Sequence, residues 1–209
     1  MDSNDHRRQD RPLPLSQRLA EIVEEDGADR LSFSELATQL HARAWGGLLA
    51  IFAAINAIPL PPGVNIFFAI PLLIVSAQMA FGRATPWFPS RIDRRGVTKE
   101  ELRRLVAKIQ WVEVRVERMF KPRLATLTGP TATRLIGIAC FVLAWLTMLP
   151  IVHVAPAAVI LLFGLALIYR DGALVIAAAT AAVIGAIIAA FLIASGAVAI
   201  GYVARRLGL

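Results

Sequence analysis

The chain has 209 residues, 57% of them hydrophobic and only 18% charged, with a mean hydropathy of +0.63. A soluble domain carries about 45–50% apolar and about 25% charged residues, so this balance excludes an ordinary soluble enzyme or a disordered adaptor and points to a bilayer-embedded protein. The net charge of +7 suggests nucleic acid until it is mapped: residues 1–43 hold 6 Arg against 9 Asp or Glu, and residues 83–130 hold 12 Lys or Arg against 5.

A basic loop between two apolar blocks is what the positive-inside rule puts on the cytoplasmic side of a membrane, and nucleic acid is set aside as a partner. The single Cys140 lies in an apolar run, which rules out a disulfide framework and a cysteine-based zinc site. His6, His41 and His153 show no metal-ligand spacing.

The first dozen residues are polar, with no apolar stretch after the arginines that would make a signal peptide. Ser16 opens a short helical pattern with Leu19, Ile22 and Val23 on one face, and Gly27 is its expected stop. Ser32 with Glu35 predicts a capping box for a second short helix carrying Leu36 and Leu40.

The first apolar block, 44–82, is split by Pro59, Pro61, Pro62 and Gly63, which no continuous helix accommodates. The expected arms are Ala44–Ile58 and Val64–Phe81. Within the basic loop 83–133, Thr98 and Glu101 predict another capping box, opening an amphipathic helix to Phe120. That helix can lie on anionic headgroups or pack on the membrane block or the N-terminal helices. Trp87, between Pro86 and Pro89, reads as an interfacial anchor.

The second block, 134–172, breaks at Pro150 and Pro156 and ends at Arg170-Asp171-Gly172. A third apolar segment, 173–209, is long enough to span once, or to break near Gly196 and lie along the interface. The two blocks read as copies: Asn56-Ala57-Ile58-Pro59 matches Thr147-Met148-Leu149-Pro150 at an offset of 91. Paired, proline-interrupted segments are the pattern of transporter folds built from inverted repeats. The expected fold is therefore all-α: a polytopic helical membrane protein with two proline-broken hairpin repeats, full or re-entrant, and a cytoplasmic amphipathic helix.

An amide or carboxylate at membrane depth needs partners that lipid cannot supply. On that ground Gln78, Arg83 and Asp171, at or near the ends of the longer arms, are expected to form one polar cluster. Asn56, Asn65 and His153, inside or beside the breaks, and Arg123 are secondary candidates. No nucleophile–base pair, phosphate loop or paired-carboxylate arrangement is visible. No catalytic residue, cofactor or metal is expected, and the chain reads as a non-enzyme.

Pro59-x-Pro61, Pro71, Gln78, Gly82-Arg83, Pro86-Trp87-x-Pro89, Lys121-Pro122-Arg123, Pro150, Pro156 and Arg170-Asp171-Gly172 together resemble the ExoD family, from about Leu31 to Ile188. The family pattern maps onto Gln78, Gly82, Arg83, Trp87, Pro122, Arg123, Asp171 and Gly172. This sequence departs from it in reading Trp87-Phe88-Pro89 where Trp-Leu-Pro is common, and in the loop Ile151-Val152-His153-Val154-Ala155-Pro156. The resemblance implies a multi-pass protein of the bacterial inner membrane, tied to exopolysaccharide production or envelope stress tolerance. The implied partners are the bilayer, anionic headgroups at the 83–133 loop and polysaccharide-synthesis proteins, with a homo-oligomer open. At the level of architecture alone, the broken helices are also similar to DedA-like proteins. A transport or flux component and a non-catalytic accessory are the two functions left standing.

Overall fold

The computed structural model describes residues 15–25, 30–59, 63–104, 106–107, 125–149 and 153–207. Gly27, Pro61, Pro62, Pro122, Arg123, Pro150 and the later part of the expected amphipathic helix lie outside the described residues.

Among the described residues the regular structure is helical apart from one two-residue strand pair. Helix α1 (Leu15–Glu25) is followed by β1 (Arg30–Leu31) and α2 (Phe33–Leu40). The first hairpin is α3 (Ala42–Asn56) and α4 (Val64–Ala80). A short α5 (Ser90–Asp93) and β2 (Val97–Thr98) then lead into α6, which starts at residue 99 and is described to 107 apart from residue 105. After a 3-10 turn (Ala125–Thr128) comes the second hairpin, α7 (Pro130–Thr147) and α8 (Val154–Tyr169), and then the long α9 (Gly172–Leu207).

Local chemistry fixes the first layer. Ser32 caps α2 with both arms of its capping box, the hydroxyl taking Glu35 N–H while the Glu35 carboxylate takes Ser32 N–H at 2.9 Å. Thr98 and Glu101 repeat the device on α6, at 2.9 Å and 3.2 Å. β1 and β2 pair antiparallel, Leu31 opposite Val97 and Arg30 opposite Thr98. Leu19, Leu31, Leu102 and Val106 close a small core with Ala20, Leu36, Leu40 and Val97 around them. The apolar face of α6 is thus spent, over its described part, on the N-terminal helices.

Ser34 N–H donates to Asp93 at 2.8 Å, and the rings of Phe33 and Phe88 meet with centroids 5.6 Å apart, tying the 84–98 segment to α2. The Thr98 N–H, and after it the Thr98 hydroxyl, hold the Glu101 carboxyl below its ordinary pKa. A carboxyl so lowered contributes stability that is present at neutral pH and lost as pH falls through the lowered value. Acidification from pH 6 to pH 3 should therefore lower the protection of the Thr98 amide relative to its intrinsic exchange rate, and Glu101→Ala should already lack that protection at pH 6. Equal acid response in both proteins would contradict this.

The two hairpins exchange partners. Helix α3 packs chiefly on α8 and α4 chiefly on α7, with lesser contacts inside each hairpin. Gly46 near the start of α3 lies against Gly164 and Ile168 late in α8, and Gly137 early in α7 lies against Met79 and Ala80 at the end of α4. At the opposite end Asn65, one residue into α4, donates to the Thr147 carbonyl closing α7 at 2.8 Å. All four contacts are antiparallel, so both turns lie at one end of the bundle and all four free ends at the other. An inverted repeat would set the second hairpin upside down; the two run the same way, and that expectation is corrected.

The buried positions coincide. In α3 they are Trp45, Gly46, Leu49, Ala53 and Asn56; in α7 Ile136, Gly137, Cys140, Ala144 and Thr147 stand 91 residues later. In α4 they are Asn65, Ala69, Leu72, Val75, Ser76 and Met79; 88 residues on stand His153, Ala157, Ile160, Phe163, Gly164 and Leu167, all buried. Between them these faces make the main core.

Helix α7 starts at Pro130, earlier than the expected block boundary, because Gly129-Pro130 supplies an N-cap and a preorganised first residue. Pro130–Thr147 and Gly172–Phe191 are long and apolar enough to cross a membrane, whereas Ala42–Asn56, Val64–Ala80 and Val154–Tyr169 are shorter apolar helices. Outward-facing Ile51, Phe67, Ile74, Leu135, Val142, Trp145 and Phe191 are exposed. Helix α9 runs unbroken through Gly196 to Leu207, so of the two courses open to this segment the break near Gly196 is not the one taken; at 1.5 Å per residue it is about 54 Å long.

Candidate functional site

Polar side chains gather at the two ends of the bundle. At the open end Gln78, half-buried on the last turns of α4, accepts the Trp87 N–H through Oε1 at 2.6 Å. That bond folds the segment after α4 back along the helix. Arg83 follows on the exposed surface, its N–H donating to the Gln78 carbonyl at 3.2 Å. Arg134, on the first turns of α7, donates Nε–H to the Ala80 carbonyl at 3.0 Å and so caps α4 from the other hairpin.

Asp171, 5% exposed, sits between α8 and α9. Its N–H donates to the Ala166 carbonyl, and its carboxylate accepts Ala173 N–H at 2.9 Å, capping α9. A carboxylate at a helix N-terminus is favoured by the exposed N–H groups and the dipole. Gln78, Arg83 and Asp171 thus share the open end, where the Arg83 N–H to Gln78 carbonyl bond is a backbone one, and among the described residues no side-chain hydrogen bond or ion pair joins the three to one another. Asp93 in the basic loop is half-buried and bonded to Ser34. It is a structural cap.

At the turn end four polar residues are buried: Asn56, Asn65, Thr147 and His153. Asn65 is the most fully engaged. Its Nδ2 donates across the hairpins to Thr147, and its Oδ1 accepts Gly63 N–H at 3.2 Å. The Thr147 hydroxyl donates back to the Ala144 carbonyl at 2.7 Å. Asn56 closes α3 with Nδ2 donating to the Phe52 carbonyl at 3.0 Å, and its Oδ1 is buried with no hydrogen-bond partner among the described residues. His153 stands at the N-terminus of α8. The antiparallel register of α3 on α8 brings Asn56 to that same end.

The spacing of polar residues beside each break marked Asn56, Asn65 and His153 in the sequence. Thr147 and Arg134 were passed over as site residues, although Thr147 aligns with Asn56 and Arg134 with Arg43 at the same offset of 91. No group of three His, Cys, Asp or Glu side chains able to hold a metal occurs among the described residues.

The arrangement defines an all-helical protein with two helices fit to cross a membrane and polar side chains sequestered at both ends of a double hairpin. Residues 15–191 match the family model described as exopolysaccharide synthesis, ExoD, and the chain belongs to that family. It is 27% identical over 168 residues to Protein ExoD of Rhizobium meliloti strain 1021, covering 77% of this chain and 70% of that protein. No solved structure matches.

Proposed function

We propose that this protein is a multi-pass, non-catalytic component of the bacterial inner membrane that carries flux in envelope polysaccharide production or stress tolerance. The observation that carries the reading is the pair of like-oriented hairpins whose turns bury polar side chains at one end. Buried positions that coincide at offsets of 91 and 88 support two copies about an axis along the hairpins, the parallel class of repeat. The relation extends outside the hairpins: Leu31, Ser32, Glu35 and Leu36 match Val97, Thr98, Glu101 and Leu102 at an offset of 66.

Apolar outer faces exposed among the described residues suit acyl chains. Helix α3 is about 22 Å long against a hydrocarbon core of about 30 Å, so its hairpin either re-enters or thins the bilayer locally. The basic loop belongs on the cytoplasmic side with the open end. There Gln78, Arg83 and Asp171 would line the mouth of the path.

Flux of an alkali ion or a lipid-linked saccharide into vesicles holding the purified full-length protein tests the reading. Passage above protein-free vesicles is expected, and Asp171→Asn should lower it more than Arg91→Gln in the exposed loop. If Arg83 and Asp171 act together, reversing both charges should restore part of what either reversal removes.

The alternative is an accessory that positions polysaccharide-assembly proteins. It is favoured by the separate core of Leu19, Leu31, Leu102 and Val106, a folded unit outside the hairpins. Deletion that lowers polymer output, with purified protein that moves neither solute, would select it.

A further inference from the structure

The turn end has two equivalent places about the axis between the hairpins. Position 147 corresponds to 56, and position 153 to 65. The two places are polar in both hairpins, whereas most of the other matched buried positions are apolar. At the first place the carbonyl ending α7, on Thr147, receives Asn65 Nδ2–H. At the second, Asn56 ends α3, and its side-chain Oδ1, on a residue 0% exposed, has no hydrogen-bond partner among the described residues. A buried acceptor left so is costly, because it has given up its water without a replacement donor.

Two further features fix the charge of what belongs there. Asn56 lies at a helix C-terminus, where the carbonyl dipoles present partial negative charge. Broken helices in membranes use such ends, with their freed carbonyls, to coordinate monovalent cations. No Asp or Glu occurs between Glu35 and Asp93, or between Glu117 and Asp171. A neutral oxygen set suits a monovalent ion, whereas calcium and magnesium sites draw on carboxylates.

We propose that the turn end of α3 binds an alkali-metal cation, with Asn56 Oδ1 as its side-chain ligand and carbonyl oxygens at the end of α3 as its backbone ligands. The inference rests on the flux reading above and names the ion that such a path would hold.

The full-length protein in nanodiscs, with choline chloride replaced by NaCl or KCl at constant ionic strength and pH 8, gives the test. One of the two ions should raise the unfolding midpoint saturably, by about 5–10 °C at a hundredfold excess over Kd. Asn56→Leu should abolish the response, and Asn56→Asp should tighten binding at least tenfold. If Asn56→Leu does not fold, the Asn56→Asp affinity decides alone. A wild-type midpoint indifferent to both ions overturns the proposal, as does an unchanged response in Asn56→Leu or an unchanged Kd in Asn56→Asp. Ion binding through Asn56 in protein that carries no flux defeats the flux reading alone. Flux with no ion response at Asn56 defeats the site alone.

Discussion

Gly164→Val should unfold a large fraction of the protein in micelles, while Gly47→Ala, one residue from the same crossing, should leave it intact or slightly more stable. A Cβ at Gly164 would stand 2.8 Å from Ala50 N and 2.9 Å from the Gly46 carbonyl oxygen. One at Gly46 would meet the Gly164 oxygen at 2.6 Å. Both neighbours are backbone of a packed helix, so no side chain can yield, and α3 must move off α8 along its length. Overpacking of this kind typically costs about 1–3 kcal/mol and occasionally more. Small residues at close helix crossings are the usual means of association in lipid.

At Gly47 a Cβ meets nothing within 4 Å, and alanine gains roughly 0.5–1 kcal/mol of helix preference over glycine. Gly137→Val should fail as Gly164→Val does, through Met79 and Ala80. The two crossings lie in different helix pairs, so alanine substitutions at Gly46 and Gly137 should add in free energy. Thermal or denaturant titration of the folded fraction reads all four. A Gly164→Val protein as stable as the parent would mean that α3 and α8 do not meet there.

These crossings also show where the sequence was legible. The capping boxes at Ser32 and Thr98 could be read because each is complete within four residues. The arm expected at Val64–Phe81 differs by one residue from the helix Val64–Ala80, since Gly63 and Gly82 bracket a predominantly apolar run. The start of α7 was missed by a few residues although Gly129-Pro130 announces it. Which helix packs on which is tertiary information: all four arms are apolar on most faces, so periodicity names no partner. One clue was present, the glycines Gly46 and Gly137 at the same 91-residue spacing as Asn56 and Thr147. The bonds of the open end were not readable at all. Gln78 meets a backbone N–H nine residues on and Arg134 a carbonyl 54 residues back, and neither spacing belongs to a regular element.

At the turn end, two asparagines that look interchangeable in sequence should respond with opposite signs. Asn65→Leu strands two groups: the Thr147 carbonyl that receives Nδ2–H at 2.8 Å and the Gly63 N–H bound to Oδ1 at 3.2 Å. Each buried group left without a partner costs about 1–3 kcal/mol. The unfolding midpoint should therefore fall by several degrees, at about 2–4 °C per kcal/mol for a chain of this size. Asn56→Leu removes an acceptor that has no donor, and the Phe52 carbonyl it releases still lies within the α-helical ladder. Replacing an unsatisfied buried polar group by an apolar one of similar volume is neutral or stabilising. In choline chloride the Asn56→Leu midpoint should thus equal or exceed that of the parent. Activity should sort the other way: flux lost by Asn65→Leu should recover under conditions that restore its stability, whereas flux lost by Asn56→Leu should not. A midpoint that falls as far in Asn56→Leu as in Asn65→Leu would show that Asn56 holds the fold together as Asn65 does, and would leave the turn end a structural joint.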